Sequence, residues 1–139
     1  MRGLLADVNV QGHLRYLRQL LEALGLWVFL AELHVELATF ADLHLPRDLD
    51  DRSLWNFCQQ QGWVFFTENR NDDGPDSLHA TLVDSWQPGH LPVLTLANKG
   101  RFHHGRDYAQ QVASDVAELL FGIAHQGQYR DQPRIYVPR

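Results

Sequence analysis

Apolar residues recur with two alternating periods along this chain. Leu4 to Val8 is a short apolar run that closes on Asp7 and Asn9, and behind it Leu14, Leu17, Leu21 and Leu24 recur at helical spacing up to Gly25. That predicts a strand followed by an amphipathic helix. Leu26 to Leu33 stays apolar in a pattern too dense to phase, read as a second short helix, and Val35 to Phe40 alternates as a strand does. Asp50 or Asp51 can cap a helix with Leu54, Trp55, Phe57 and Cys58 on its inner face, stopped by Gly62. Trp63 to Thr67 then returns as a strand. Pro75 fits the first turn of a helix whose apolar face is Leu78, Leu82 and Val83, broken by Pro88-Gly89. Pro92 to Leu96 reads as the next strand. From Arg106 onward Tyr108, Val112, Val116, Leu119, Leu120 and Ile123 make the cleanest amphipathic helix, and Ile135 to Val137 a terminal strand. Strands that are apolar throughout, alternating with helices, predict an α/β fold: three layers, α/β/α, around a mostly parallel sheet.

Composition sets the scale. A chain of 139 residues, 45% of them hydrophobic, suits one domain spanning residues 1–139. The net charge of -5 excludes a general polyanion-binding surface, so any nucleic-acid contact has to be local. Eleven of the twelve basic residues are Arg, Lys99 being the exception, which suits bidentate contacts to phosphate or carboxylate. Cys58 is the only cysteine, the first residues form no apolar run of signal length, and no apolar stretch approaches the ~20 residues of a membrane span. These features point to a cytoplasmic protein without membrane association.

Candidate chemistry collects at predicted strand ends, because ligands of open parallel sheets bind beyond the carboxyl ends of the strands. Asp7 and Asn9 leave the first strand, Asp51 begins the helix that leads to the third, and Asn69 to Asp73 leave the third. Asp7, Asp51 and Asp72 together are the oxygen donors a Mg²⁺ or Mn²⁺ ion prefers, and such an ion activates water for phosphodiester hydrolysis. A purely structural alternative has Asp7 ending its strand in an Asx-type turn, Asp51 capping its helix and Asp72 in a solvated loop. A second use of the same turn is an anion cradle, with Asn69, Arg70, Asn71 and Ser77 around the start of the helix after Gly74. The eight histidines, His103-His104 foremost, lack further ligands at zinc spacing and read as solvent-exposed loop residues. Arg15 and Arg18, and Arg130, Arg134 and Arg139, are open to either phosphate contact or a solvated role. The four tryptophans read as core and rim packing.

The motif Leu4-Leu5-Ala6-Asp7-Val8-Asn9-Val10 resembles the opening of PIN-like domains, whose first strand ends in an aspartate followed two residues later by an asparagine. Asp51-Arg52-Ser53-Leu54-Trp55, then Gly62-Trp63-Val64-Phe65-Phe66-Thr67, is similar to that group's aspartate-led helix, glycine, apolar strand and threonine. Order and spacing over residues 4 to 73 resemble the short PIN-like family related to toxin–antitoxin ribonucleases. The resemblance implies a Mg²⁺- or Mn²⁺-dependent endoribonuclease acting on RNA. Asp7 and Asp51 would be its metal ligands, and Asn9 would orient Asp7 or the substrate. It also implies an antitoxin or other protein partner, and a homodimer is the base-rate assembly.

The chain departs from that pattern after Thr67. Many relatives place aspartates two and four residues on, where this chain has Asn69 and Asn71. An amide attracts a dication less than a carboxylate does and accepts no proton from water, so the change weakens both metal affinity and base catalysis. Asp72, five residues after the threonine, is the substitute ligand that related toxins suggest. The alternative function is a non-catalytic PIN-like module that binds RNA or a protein. A nucleotide-phosphate site is a third class, and the spacing GxxxxGK[ST] it needs is absent.

Overall fold

A computed structural model describes residues 1–68, Gly74 and 77–139. Five strands form one sheet: β1 (Gly3–Ala6), β2 (Glu36–Ala38), β3 (Trp63–Glu68), β4 (Val93–Leu96) and β5 (Arg134–Val137). Every pairing is parallel, in the order β2-β1-β3-β4-β5. Among the described residues six α-helices connect them: α1 (Gln11–Ala23), α2 (Trp27–Glu32), α3 (Asp51–Gln61), α4 (Leu78–Ser85), α5 (Lys99–His104) and α6 (Arg106–Gln126). The α/β/α expectation is met, with a sheet that is parallel throughout.

The two faces of the sheet carry separate apolar clusters, as strict alternation along each strand requires. Leu4, Ala6, Val64, Phe66, Leu94 and Leu96 pack under α1, α2, α5 and α6. Leu5, Trp63, Phe65 and Val93 pack under α3 and α4, against Leu54, Trp55, Cys58 and Leu78. The central strand β3 is buried along its first five residues, which explains why Trp63 to Thr67 is apolar without alternation. In α1 the buried positions Leu14, Leu17, Leu20 and Leu21 follow the helical period.

Element boundaries depart from the sequence reading in four places. β1 stops at Ala6, and Val8–Val10 winds into a 3-10 turn instead of extending the strand. β2 covers only Glu36–Ala38 of the expected 35–40. The helix after β3 is capped by Ser77 and starts at Leu78, and Pro75 lies outside the described residues. His103 and His104 sit on α5, a helix the periodicity does not predict, because six residues with one buried anchor, Phe102, carry no readable period. Gly62 does close α3, with φ 83°, a left-handed conformation that glycine adopts without a Cβ penalty. Among the described residues no helix is long and apolar enough to cross a membrane.

β1 leads out to β2 at the edge, and the chain then crosses to β3 on the other side of β1 and continues outward. The direction of winding therefore reverses between β1 and β3, and in open α/β sheets the crevice above that reversal, at the carboxyl edge, is where ligands bind. The β1 end of this arrangement depends on Gly3, where an added Cβ would run into the backbone of Glu36 on β2. Gly3→Ala is expected to lower stability by about 1–3 kcal/mol through overpacking; urea denaturation checks this, and an unchanged midpoint contradicts it.

Candidate active site

Asp7 leaves β1 one residue beyond the last paired position, Ala6 opposite Phe66, which sets it beside Thr67. Its amide donates to the Phe66 carbonyl at 2.8 Å, continuing the ladder. The Thr67 hydroxyl donates to Asp7 Oδ2 at 2.9 Å. Asp7 is only 5% exposed and Thr67 is fully buried. A carboxylate is costly to bury without donors, and a hydroxyl directed at it offsets part of that cost. Asp7 also heads the Val8–Val10 turn, yet its side chain makes no capping bond there, so the Asx-type strand terminator is not what forms. The turn closes with Val10 donating to the Asp7 carbonyl at 2.9 Å, and Asn9, two residues on, is exposed.

The two acidic candidates at the start of α3 have separate tasks. Asp50 is the cap, accepting the Ser53 amide. That amide and then the Ser53 hydroxyl hold its carboxyl below the ordinary 3.8, outweighing an opposing effect of burial, and Arg52 adds the smallest contribution in the same downward direction. The cap's contribution is therefore complete above that value and is lost as the pH falls through the lowered one. Asp51, freed from capping α3, accepts the Leu78 amide on Oδ2 at 3.1 Å and so reaches the first turn of α4. Arg52 pairs with Asp84 at 3.1 Å in the last turn of α4. The first turn of α3 thus fixes α4 at both ends.

Ser77, placed above in the anion cradle, is 3% exposed. Its hydroxyl accepts the Ala80 amide at 3.1 Å as the cap of α4. With Asp51 on the Leu78 amide and Ser77 on the Ala80 amide, the start of α4 already holds a carboxylate and a hydroxyl where the cradle reading places an anion. Asn69, Arg70, Asn71 and Asp72 lie outside the described residues. The structure therefore links Asp7 to Thr67, and Asp51 to the helix capped by Ser77.

Asp7, Asp51 and Thr67 offer only oxygen donors, which suits Mg²⁺ or Mn²⁺ better than zinc. Thr95 pairs with Thr67 in register and shares its face of the sheet. It is fully buried, and among the described residues its hydroxyl has no hydrogen-bond partner, an orphan of the kind that buried polar sites leave for a water or a ligand oxygen. Among the described residues no three His, Cys, Asp or Glu gather closely enough to hold a metal ion. Cys58 is buried, and burial pushes its thiol up to about 12, leaving it inert as a ligand or nucleophile.

Glu68 follows Thr67 on β3, and alternation turns it toward the opposite face. There it accepts an ion pair from Lys99 Nζ at 2.9 Å. Sequence reasoning did not single out Glu68, although its place at the end of an apolar strand was a usable signal. Three of the five arginines left open to phosphate contact have partners of their own. Arg18 pairs with Glu22 at 3.0 Å and lies 4.1 Å from the Trp27 ring. Arg130 donates to the Gly89 carbonyl at 2.9 Å. Arg139 pairs with Glu118 at 2.7 Å, and its amide donates to the buried Asp115.

The two threonines make opposite predictions. Thr67→Val removes a hydroxyl that serves a buried carboxylate and is expected to cost about 1.5–3 kcal/mol, whereas Thr95→Val removes an orphan and is expected to leave stability unchanged or raise it by up to about 1 kcal/mol. Chemical denaturation of both variants checks this, and equal losses would contradict it. Compared with protein-family models, with curated proteins and with solved structures, the chain finds no match in any of the three.

Proposed function

We propose that the chain is a metal-dependent endoribonuclease of PIN-like type, with Mg²⁺ or Mn²⁺ at the carboxyl edge where β1 meets β3. The observation that carries this reading is Asp7: a carboxylate 5% exposed at the point where the winding reverses, engaged by Thr67 and not spent on capping its own turn. In this reading Asp7 and Asp51 hold the cation, with Asp72 as the third carboxylate. Thr67 fixes the orientation of Asp7 by donating to Oδ2. A carboxylate offers about four lone-pair sites, so the amide on Asp51 Oδ2 is compatible with a ligand role. Asn9 orients Asp7 or the substrate, and Asn69, Arg70 and Asn71 contact the RNA. A cation held by these residues would supply charge neutralisation at the phosphodiester and a more acidic bound water.

The amides at Asn69 and Asn71 favour a second reading, a PIN-like module that binds RNA or a protein without cleaving it, since neutral ligands weaken both the cation site and the base. An antitoxin or other protein partner, a homodimer and a cytoplasmic location belong to the same proposal. End-labelled RNA incubated with the purified protein distinguishes the two. Cleavage that requires Mn²⁺ or Mg²⁺, falls about 10²–10³-fold in Asp7→Asn and falls about 10–100-fold in Thr67→Val is the expected result. No cleavage with either ion, or full activity in Asp7→Asn, overturns the ribonuclease reading.

A further inference from the structure

The residues that precede and form α5 reverse the charge of the chain locally. From Ala97 to Tyr108 stand three of its twelve Lys and Arg and two of its eight His, against one of its seventeen Asp and Glu. In a protein of net charge -5 this is the kind of local patch that polyanion binding requires. Phe102, fully buried, pins α5 against α1, in tilted ring contact with Tyr16 at 5.1 Å and His13 at 5.8 Å between ring centroids. That anchor lines up three imidazoles, with His13 and His103 5.7 Å apart and His103 and His104 4.8 Å apart. Lys99 stands at one end of the row, bonded to Glu68 at the carboxyl edge of β3. At the other end His104 lines an open groove of about 690 Å³ with Arg101, Arg106, Asp107 and Tyr108, where the Arg101 guanidinium lies 4.4 Å from the Tyr108 ring.

We propose that this row, Lys99, His13, His103 and His104, running into the Arg101–Arg106 groove, is the track that holds the phosphodiester backbone of single-stranded RNA beside the Asp7 site. The proposal rests on the ribonuclease reading for its choice of RNA. Contiguous bases with few acids among them repel one another when charged, and a chain of phosphates spaced along the row relieves that repulsion. The geometry agrees with β3, which turns Thr67 toward Asp7 and the next residue, Glu68, toward the basic row. A strand of RNA crossing the carboxyl edge thus meets the carboxylate on one side and the cations on the other. Tyr108 and Arg101 offer a ring and a guanidinium plane on which a base can stack, independent of its identity.

The row is also sensitive to pH. His13 is held below its ordinary 6.5, by burial first and then by Lys99 and His103, with Glu68 opposing. The free protein therefore keeps His13 neutral near neutrality, and its contribution to stability is present above 6.5 and declines as the pH falls below that value. An anion on the row favours the charged imidazole, so binding takes up protons and strengthens as the pH falls through the histidine range.

The test uses the full chain with EDTA and a short fluorescein-labelled oligouridylate, so that cleavage does not intervene. Anisotropy should show roughly tenfold tighter binding at about pH 5.5 than at about pH 8, and a log–log salt slope steeper by roughly one to two units at the lower pH. In the variant combining His13→Gln, His103→Gln and His104→Gln both differences should shrink below about twofold in affinity and half a unit in slope. NMR of the histidine ring protons in the native chain should show their titration moving to higher pH when oligouridylate is added, a readout that does not depend on how the triple variant folds. Binding that is flat with pH, a pH response that survives in a folded triple variant, unmoved ring titrations, or equal competition by a glutamate-rich peptide would each overturn the proposal. Cation-dependent cleavage with pH-flat binding removes the track alone, whereas pH-dependent binding without cleavage removes the nuclease alone.

Discussion

A carboxylate stays buried at the end of β1 because β3 pairs with β1 in the one register that sets Thr67 beside it. Shifted by one residue, the pairing would present Phe66 or Glu68 to Asp7 instead, and every side chain of β3 would exchange faces. Register, burial and site geometry are therefore a single constraint. The apolar residues on both faces of β3 supply the energy that holds the register, and the hydroxyl at its end makes the buried charge tolerable. Parallel pairing throughout then gathers the other polar strand ends at the same edge.

Strand alternation also divides that edge. Thr67 and Thr95 face the α3–α4 side, where the donors are carboxylates and hydroxyls, and Glu68 faces the α1–α5 side, where Lys99 and His13 stand. Under the proposed RNA binding, this arrangement sets the Asp7 carboxylate and the cationic row on opposite sides of one strand, with Glu68 paired to Lys99 on the second side. Asp51 contributes differently. By leaving the capping of α3 to Asp50, it is available to fix the first turn of α4, so two adjacent aspartates with similar sequence contexts have distinct roles.

The fold was legible wherever an element was long or fully buried. Trp63 to Thr67 had no alternation to misread, and α6 repeats its apolar face over 21 residues. Gly62 marked the end of α3 by the backbone conformation it alone adopts cheaply. The short helix α5 was not legible: it depends on one apolar anchor, Phe102, and on a cap in which Asn98 accepts the Arg101 amide, neither of which makes a period. In the site, Asp7 was legible as the polar residue ending an apolar strand. Its bond to Thr67 spans sixty positions and required the sheet order. The division of labour between Asp50 and Asp51 was invisible for the opposite reason, since neighbours in sequence differ only in which helix end each one reaches. The histidine row combines both difficulties, because His13 and His103 come together only through the packing of α1 on α5.

The central claim is that Asp7 anchors a divalent-cation site at the carboxyl edge between β1 and β3. A crystal structure of the protein soaked in MnCl₂, with anomalous data at the manganese edge, tests it most directly. The account predicts an anomalous peak roughly 2.0–2.3 Å from an Asp7 carboxylate oxygen, with Asp51 or Asp72 completing the oxygen shell. An Asp7 carboxylate still bonded to Thr67 with no manganese beside it, or manganese bound only at the histidines of α5, would contradict it.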